Sequence, residues 1–294
     1  MTAPVVLQDR PQRPARTLLI GSLVVIAALV VWSVLGLNIK WSRLLDAPAD
    51  LYRIFKLMFR DTSANDFNKA LRALWDSIAI AWLGTIIASC FAVPFGFLAA
   101  ENLVPRWFSF GMRQIFNLLR SVPELIIVLA LIPVLGFTKS AGVLAIAIGS
   151  IGTLSKLCSE VIEGIDRGPI EAADSCGANG LQRLRWAVIP QSAPEIASFV
   201  LYRFEINIRV SAVLGVLGVG GIGGMLRDGI RFKEWGQAGA ALVVIVVGTI
   251  LVDLLSGAVR RRILSGPRGS GQSPDIAPAQ MAKLLAGPAG GSAL

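Results

Sequence analysis

Four strongly polar side chains, Arg203, Glu205, Asn207 and Arg209, stand inside a stretch otherwise apolar enough to cross a membrane. Charge in lipid is costly and is kept for transport pathways or buried pairs. Helical spacing sorts the four into two faces: Glu205 meets Arg209 four residues on, and Arg203 aligns with Asn207. They either glue helices together in a bundle, or Arg203 or Arg209 offers a planar guanidinium to an anionic substrate. Directly downstream, residues 215–224 read Gly-Val-Leu-Gly-Val-Gly-Gly-Ile-Gly-Gly. That run, with Gly220 and Gly221 inside it, is either a broken helix end whose backbone lines a pathway or a close helix contact through small residues.

Other chemistry is excluded by what the chain lacks. It has no histidine, and Cys90, Cys158 and Cys176 are scattered without metal-ligand spacing, so histidine-based catalysis, a zinc site and a disulfide framework have no support. No Gly-x-x-x-x-Gly-Lys-Ser/Thr loop is present, and the glycine run has no lysine to stand in for one, so the chain is not expected to bind ATP. Neither a metal nor any other cofactor is expected on it. The formal net charge of +9 could suggest nucleic acid, but in a polytopic protein loop arginines and lysines set orientation instead, and no nucleic-acid partner is expected.

The elements that position these residues are membrane helices. With 54% hydrophobic and 16% charged residues the chain is far too apolar for a water-soluble domain. Runs near the length of about 20 apolar residues that crosses a bilayer recur six times: Thr17 to Leu37, Ser77 to Ala99, Val122 to Phe137, Gly142 to Val161, Pro190 to Gly215 and Gln237 to Val259. Each must be helical, because lipid satisfies no open backbone hydrogen bond. The expected organisation is a cytoplasmic segment 1–16, a first span 17–37, an external loop 38–74, a core 75–260 with five spans, and a disordered cytoplasmic tail 261–294. In the loop, Leu51, Ile54, Phe55 and Met58 recur at helical spacing, so this amphipathic segment lies along the interface or packs on the bundle. Arginines at 10, 13, 16, 106, 113 and 260–262 fall on one side of six crossings, which places both termini in the cytoplasm. Lys40, Arg43, Arg53, Lys56, Arg60, Lys69 and Arg72 on the other side pull against that reading.

Between the fourth and fifth spans, residues 163–190 read as a compact cytoplasmic hairpin. Pro169 suits a first helical turn, having no amide proton to lose. Glu171-Ala172-Ala173 continues that helix, Gly177 and Gly180 end it, and a second short amphipathic helix is expected to stop at Pro190. A hairpin of small residues suits docking into a partner's groove.

The residues Glu171-Ala172-Ala173, Gly177 and Ile189-Pro190 resemble the EAA loop of the permease subunits of binding-protein-dependent ABC importers, as does Arg120-Ser121-Val122-Pro123 at the third span. The run from Phe204 to Arg209, with Val213-Leu214-Gly215 and Gly220-Gly221-Ile222-Gly223, is similar to the phosphonate-importer permeases. The resemblance covers roughly residues 70–260. It implies an all-α membrane protein of the type I ABC importer permease fold with six transmembrane helices, in the bacterial cytoplasmic (inner) membrane. Implied partners are a second copy of the chain, two cytoplasmic ATP-binding subunits carrying ATP and magnesium, and an extracytoplasmic substrate-binding protein. Glu171, Ala172, Ala173, Gly177 and Pro190 would couple to the ATPase, and Arg203, Glu205, Asn207, Arg209, Gly220 and Gly221 would line the pathway. The implied cargo is a phosphonate or related phosphorus oxyanion; a methionine importer or an ion-gradient-driven transporter are the alternatives.

Overall fold

A computed structural model describes residues 16–36 and 41–264, and every regular element among them is helical. The chain divides into two units, Met1–Lys56 and Leu57–Leu294. The first holds α1 (Arg16–Gly36) and most of α2 (Trp41–Arg60). α1 carries apolar side chains on all sides, as a helix surrounded by lipid does. The expected segment 1–16 lies, but for Arg16, outside the described residues.

Within the segment expected as an external loop with an amphipathic stretch over 38–74, the described residues are largely helical. Residues 41–60 form α2, and α3 (Ala64–Ala99) begins well before Ser77. Its start is set by a capping box: the Ser63 hydroxyl accepts from the Asp66 amide at 3.3 Å while the Asp66 carboxylate accepts from the Ser63 amide at 3.1 Å. The tail, expected to be disordered from 261, is helical as far as Leu264. Arg261 and Arg262 close the last turn of α11 (Trp235–Leu264), where the helix dipole favours positive charge.

The helix pair at the expected third crossing is broken. Pro123 forbids a helical conformation at Val122, which is extended, so α4 (Arg106–Ser121) and α5 (Glu124–Leu135) meet at 79°. α5 alone, about 18 Å long, is too short to span a hydrocarbon layer of about 30 Å. The stretch expected as a whole span, Val122 to Phe137, is the second arm of a bent helix pair. A second bent pair, at 50°, joins the helix that includes α9 (Ile189–Leu214) to α10 (Gly221–Arg231). With α1, α3, α6 (Lys139–Glu163) and α11 apolar and long enough singly, the described residues hold six crossings if each bent pair is one span.

α6 is the central post, packed against α3, α4, α5 and α9, while α11 closes the far side against α3, α9 and α10. Small residues bring the backbones together, as expected where lipid removes the hydrophobic drive between helices. A Cβ on Gly84 of α3 would lie 2.7 Å from Ile146 of α6, and one on Gly96 would overlap Cys158. One buried cluster, with Ile80, Val128, Ile146 and Leu214, fills the half near the α5 end, and another, with Leu154, Ile162, Val188 and Ile196, fills the half near the 163–190 hairpin.

Candidate functional site

The hairpin is built from α7 (Gly168–Ser175) and α8 (Gly180–Arg183). α7 ends in a Schellman motif: the Ala178 amide donates to the Ala173 carbonyl at 3.1 Å and the Gly177 amide to Asp174 at 3.0 Å. That turn needs the left-handed backbone of Gly177, whose φ is +74°. Gly180 does not end this helix; it opens the next, capped by Asn179 and Gln182 in a reciprocal pair at 2.9 Å. Pro190 does not stop the second piece either. A π turn over Leu184–Val188 lets the Ile189 amide donate to the Leu184 carbonyl five residues back. The chain then runs into α9 with Pro190 in its first turn, where a missing amide is tolerated.

Both roots of the hairpin are fastened. The Asp166 amide donates to the Gln191 side chain at 3.1 Å, and Gln191 Nε2 donates to the Asp166 and Ala187 carbonyls. Arg183 pairs with Asp174 at 3.5 Å across the turn. Beneath, Arg113 bonds both Glu163 and Glu101, and Asn102 donates to the Ile162 carbonyl at 2.7 Å. Ile165, Ile170 and Leu184 pack on the cluster of Ile162, Val188 and Ile196. The hairpin is thus a stiff extension of α6 and α9, while Glu171, Ala172, Gly177, Pro190 and the large side chains of Leu181 and Trp186 remain exposed.

The polar residues of α9 separate as their spacing predicts, into two different environments. Arg203 and Asn207 are buried. Arg203 donates to Glu124 Oε1 at 2.7 Å and to the Ser150 hydroxyl at 3.1 Å. Asn207 Nδ2 donates to Ser150 at 3.0 Å and to Thr85 at 2.9 Å. One cluster therefore ties α3, α5, α6 and α9 together. Gly149 makes room for it, since a Cβ there would fall 2.5 Å from Glu124 Cγ. On the other face the half-exposed Arg209 bridges Glu205 at 3.1 Å and Asp253 of α11 at 2.6 Å.

Glu124 and Asp253 are the partners that the sequence reading missed. Nothing in the spacing along α9 points to either; only a charge expected to be unpaired within a span could have flagged them.

The glycine run makes the bend between α9 and α10. Residues 215–219 carry the helix past Leu214 into a kink at Gly218, and Gly218, Gly220 and Gly221 have φ of +107°, +100° and +73°. Gly215 and Gly223 let backbone pack on backbone, because a Cβ on Gly215 would sit 2.5 Å from the Gly220 carbonyl and one on Gly223 would overlap that of Ala212. The buried Ser77 hydroxyl accepts from the Ile222 amide at 3.0 Å and anchors the start of α10 on α3. Close packing through small residues accounts for Gly215 and Gly223, and backbone conformation for Gly218, Gly220 and Gly221.

Comparison with known proteins adds the following. Residues 92–265 match the model of the family described as binding-protein-dependent transport system inner membrane component. The chain is 41% identical over 192 residues to the phosphite transport system permease protein PtxC of Stutzerimonas stutzeri, covering 65% of this chain and 70% of that one. It is 39% identical over 189 residues to the phosphate-import permease protein PhnE of Mycolicibacterium smegmatis, covering 64% of this chain and 36% of the longer relative. Among solved structures, an inward-facing MetNI methionine ABC transporter chain superposes with a TM-score of 0.60 at 20% identity, over 69% of this chain and 99% of that one.

Proposed function

Because the chain belongs to the family of binding-protein-dependent transport system inner membrane components, we propose that it is the membrane subunit of an importer that carries a phosphorus oxyanion into the cytoplasm. The observation that carries the reading is the exposed hairpin held rigidly on α6 and α9. A partner that grips Glu171, Ala172 and Ala173 can move two central helices only if nothing between them gives way. The Asp166–Gln191 bonds and the Asp174–Arg183 pair supply that stiffness. The gripping partner is a cytoplasmic ATP-binding subunit, one for each of two copies of this chain, and ATP and magnesium belong to those subunits. Both termini then lie in the cytoplasm with the hairpin, and a substrate-binding protein docks on the opposite side. Closure of the ATPases on ATP turns each bundle as a near-rigid body and switches which side of the pathway is open.

The cargo follows from the relatives, whose names give phosphite and phosphate transport. The likeness to a methionine transporter at 20% identity supports the fold alone. The experiment is ATP-driven uptake of labelled phosphite, phosphate and methylphosphonate by the complex reconstituted with its ATPase and binding protein. Uptake of at least one of the three, competed by unlabelled phosphorus oxyanions and untouched by methionine, is expected. Uptake of methionine with none of the three would refute the cargo, and uptake driven by an ion gradient without ATP would refute the mechanism.

A further inference from the structure

Of the four single-helix spans among the described residues α6 is the most enclosed, yet its open side changes character halfway along. Past the exposed Lys139 and Ser140 of its first turn, the uncovered residues of its first half are Leu144, Ile148 and Ile151; beyond them come Thr153, Lys156, Leu157 and Glu160, on one face at helical spacing. Charged side chains at this depth do not face lipid when a wet or protein surface is available. Three clefts run along this face and share Glu160. One of about 180 Å³ is lined by Arg120, Thr153, Lys156, Leu157 and Glu160. A second, of about 260 Å³, adds Gln114 and Asn117. The third, of about 530 Å³, reaches Gln191 and Asp166 at the root of the hairpin. A polar surface thus descends from the middle of the bundle to the side where the hairpin projects.

Its upper end is fixed by Arg120. A Cβ on Gly152 would lie 2.8 Å from the Phe116 carbonyl and 3.1 Å from Arg120 Cγ, so Arg120 sits beside Gly152, about 20 Å along α6 from Lys139. That is close to mid-span, at the break between α4 and α5. Discontinuous helices at such a depth are where transporters place their substrates. Lys156 is half-exposed and paired with Glu160 at 3.7 Å, whereas Arg120 is exposed and makes no ion pair with any described residue.

Resting on the transport reading, we infer that Arg120, with Thr153 and Lys156, is the mid-membrane contact for the oxyanion and that the α4–α6 face is the wall of the lumen. The Arg120 guanidinium presents a planar fork to two oxygens of a tetrahedral anion, and Thr153 offers a hydroxyl. Lys156 leaves Glu160 to meet the passing anion and returns to it afterwards, so the contact is weak enough to release its cargo. Arg203, buried and held by Glu124 and Ser150, has no such freedom.

The test uses the complete complex in proteoliposomes, with Cys90 and Cys176 replaced by serine. Thr153→Cys and Leu157→Cys are treated with a charged, membrane-impermeant thiol reagent and compared with Leu129→Cys on the apolar surface of α5. Modification at 153 and 157 at least tenfold faster than at 129 is expected; equal rates at all three would show that the face is not wet. Arg120→Gln is expected to raise the KM for phosphite uptake at least tenfold, with Arg120→Lys in between. An unchanged KM would overturn the anion contact. If Arg120→Gln does not assemble, Lys156→Gln supplies the same measurement, with at least a threefold rise expected and no change counting against the proposal. A wild-type complex that carries no phosphorus anion removes the cargo reading of the previous section, and slow labelling removes this one.

Discussion

At Arg203 a single guanidinium is joined to Glu124, 79 positions away in sequence, and to Ser150. The Arg203→Met substitution removes the cation and leaves a carboxylate stranded among helices, a loss of about 3 kcal/mol. Arg203→Met combined with Glu124→Gln removes both charges and should recover most of that loss. The measurement is a double-mutant cycle on the thermal midpoint of the detergent-solubilised complex; additive losses would show that the pair is not coupled. Gly149→Val should destabilise in a related way, by pushing the Glu124 stem off α6. Spacing alone told that Arg203 and Asn207 share a face and that Glu205 meets Arg209. It could not tell that Glu124, Ser150, Thr85 and Asp253 complete these sets, because contacts across such sequence distances depend on how the helices pack.

Among the elements, the hairpin best shows how a local signal is read and misread. Gly177 as a helix terminator was legible because only a left-handed residue closes a Schellman turn. Pro190 as a terminator was not, since a π turn just ahead of it absorbs the missing amide. The start of α3 was also written in the chain as Ser63-x-x-Asp66, a capping-box pattern that sits outside the apolar run and is invisible to hydropathy. The bend at Pro123 was not legible from hydropathy, because α4 is amphipathic and does not read as part of a span. Gly177→Ala meets no steric clash, since nothing lies within 4 Å of its Cβ, so its cost is the backbone strain of about 1–2 kcal/mol. Faster amide hydrogen exchange over residues 173–178, with the α6 and α9 cores unchanged, is the expected result. Unaltered protection there would mean that the turn contributes no stiffness.

For the whole molecule, the type I ABC importer permease fold implied by sequence resemblance is the fold the chain has, with the inner-membrane family match behind it. Membrane proteins repay sequence reading at this scale, because apolar length and backbone satisfaction leave few architectures open. The arrangement of copies, the side on which each terminus lies and the partner that holds the hairpin belong to the proposal, and all three meet at one exposed residue. Cys176 stands in the turn that follows Glu171-Ala172-Ala173. With Cys90 replaced by serine and Cys158 left buried, a photoactivatable group carried on the Cys176 thiol of the intact complex should insert on illumination into the ATP-binding subunit and change in yield when ATP is added. A cross-link to the external binding protein, or none to the ATPase in a complex that still transports, would contradict the account.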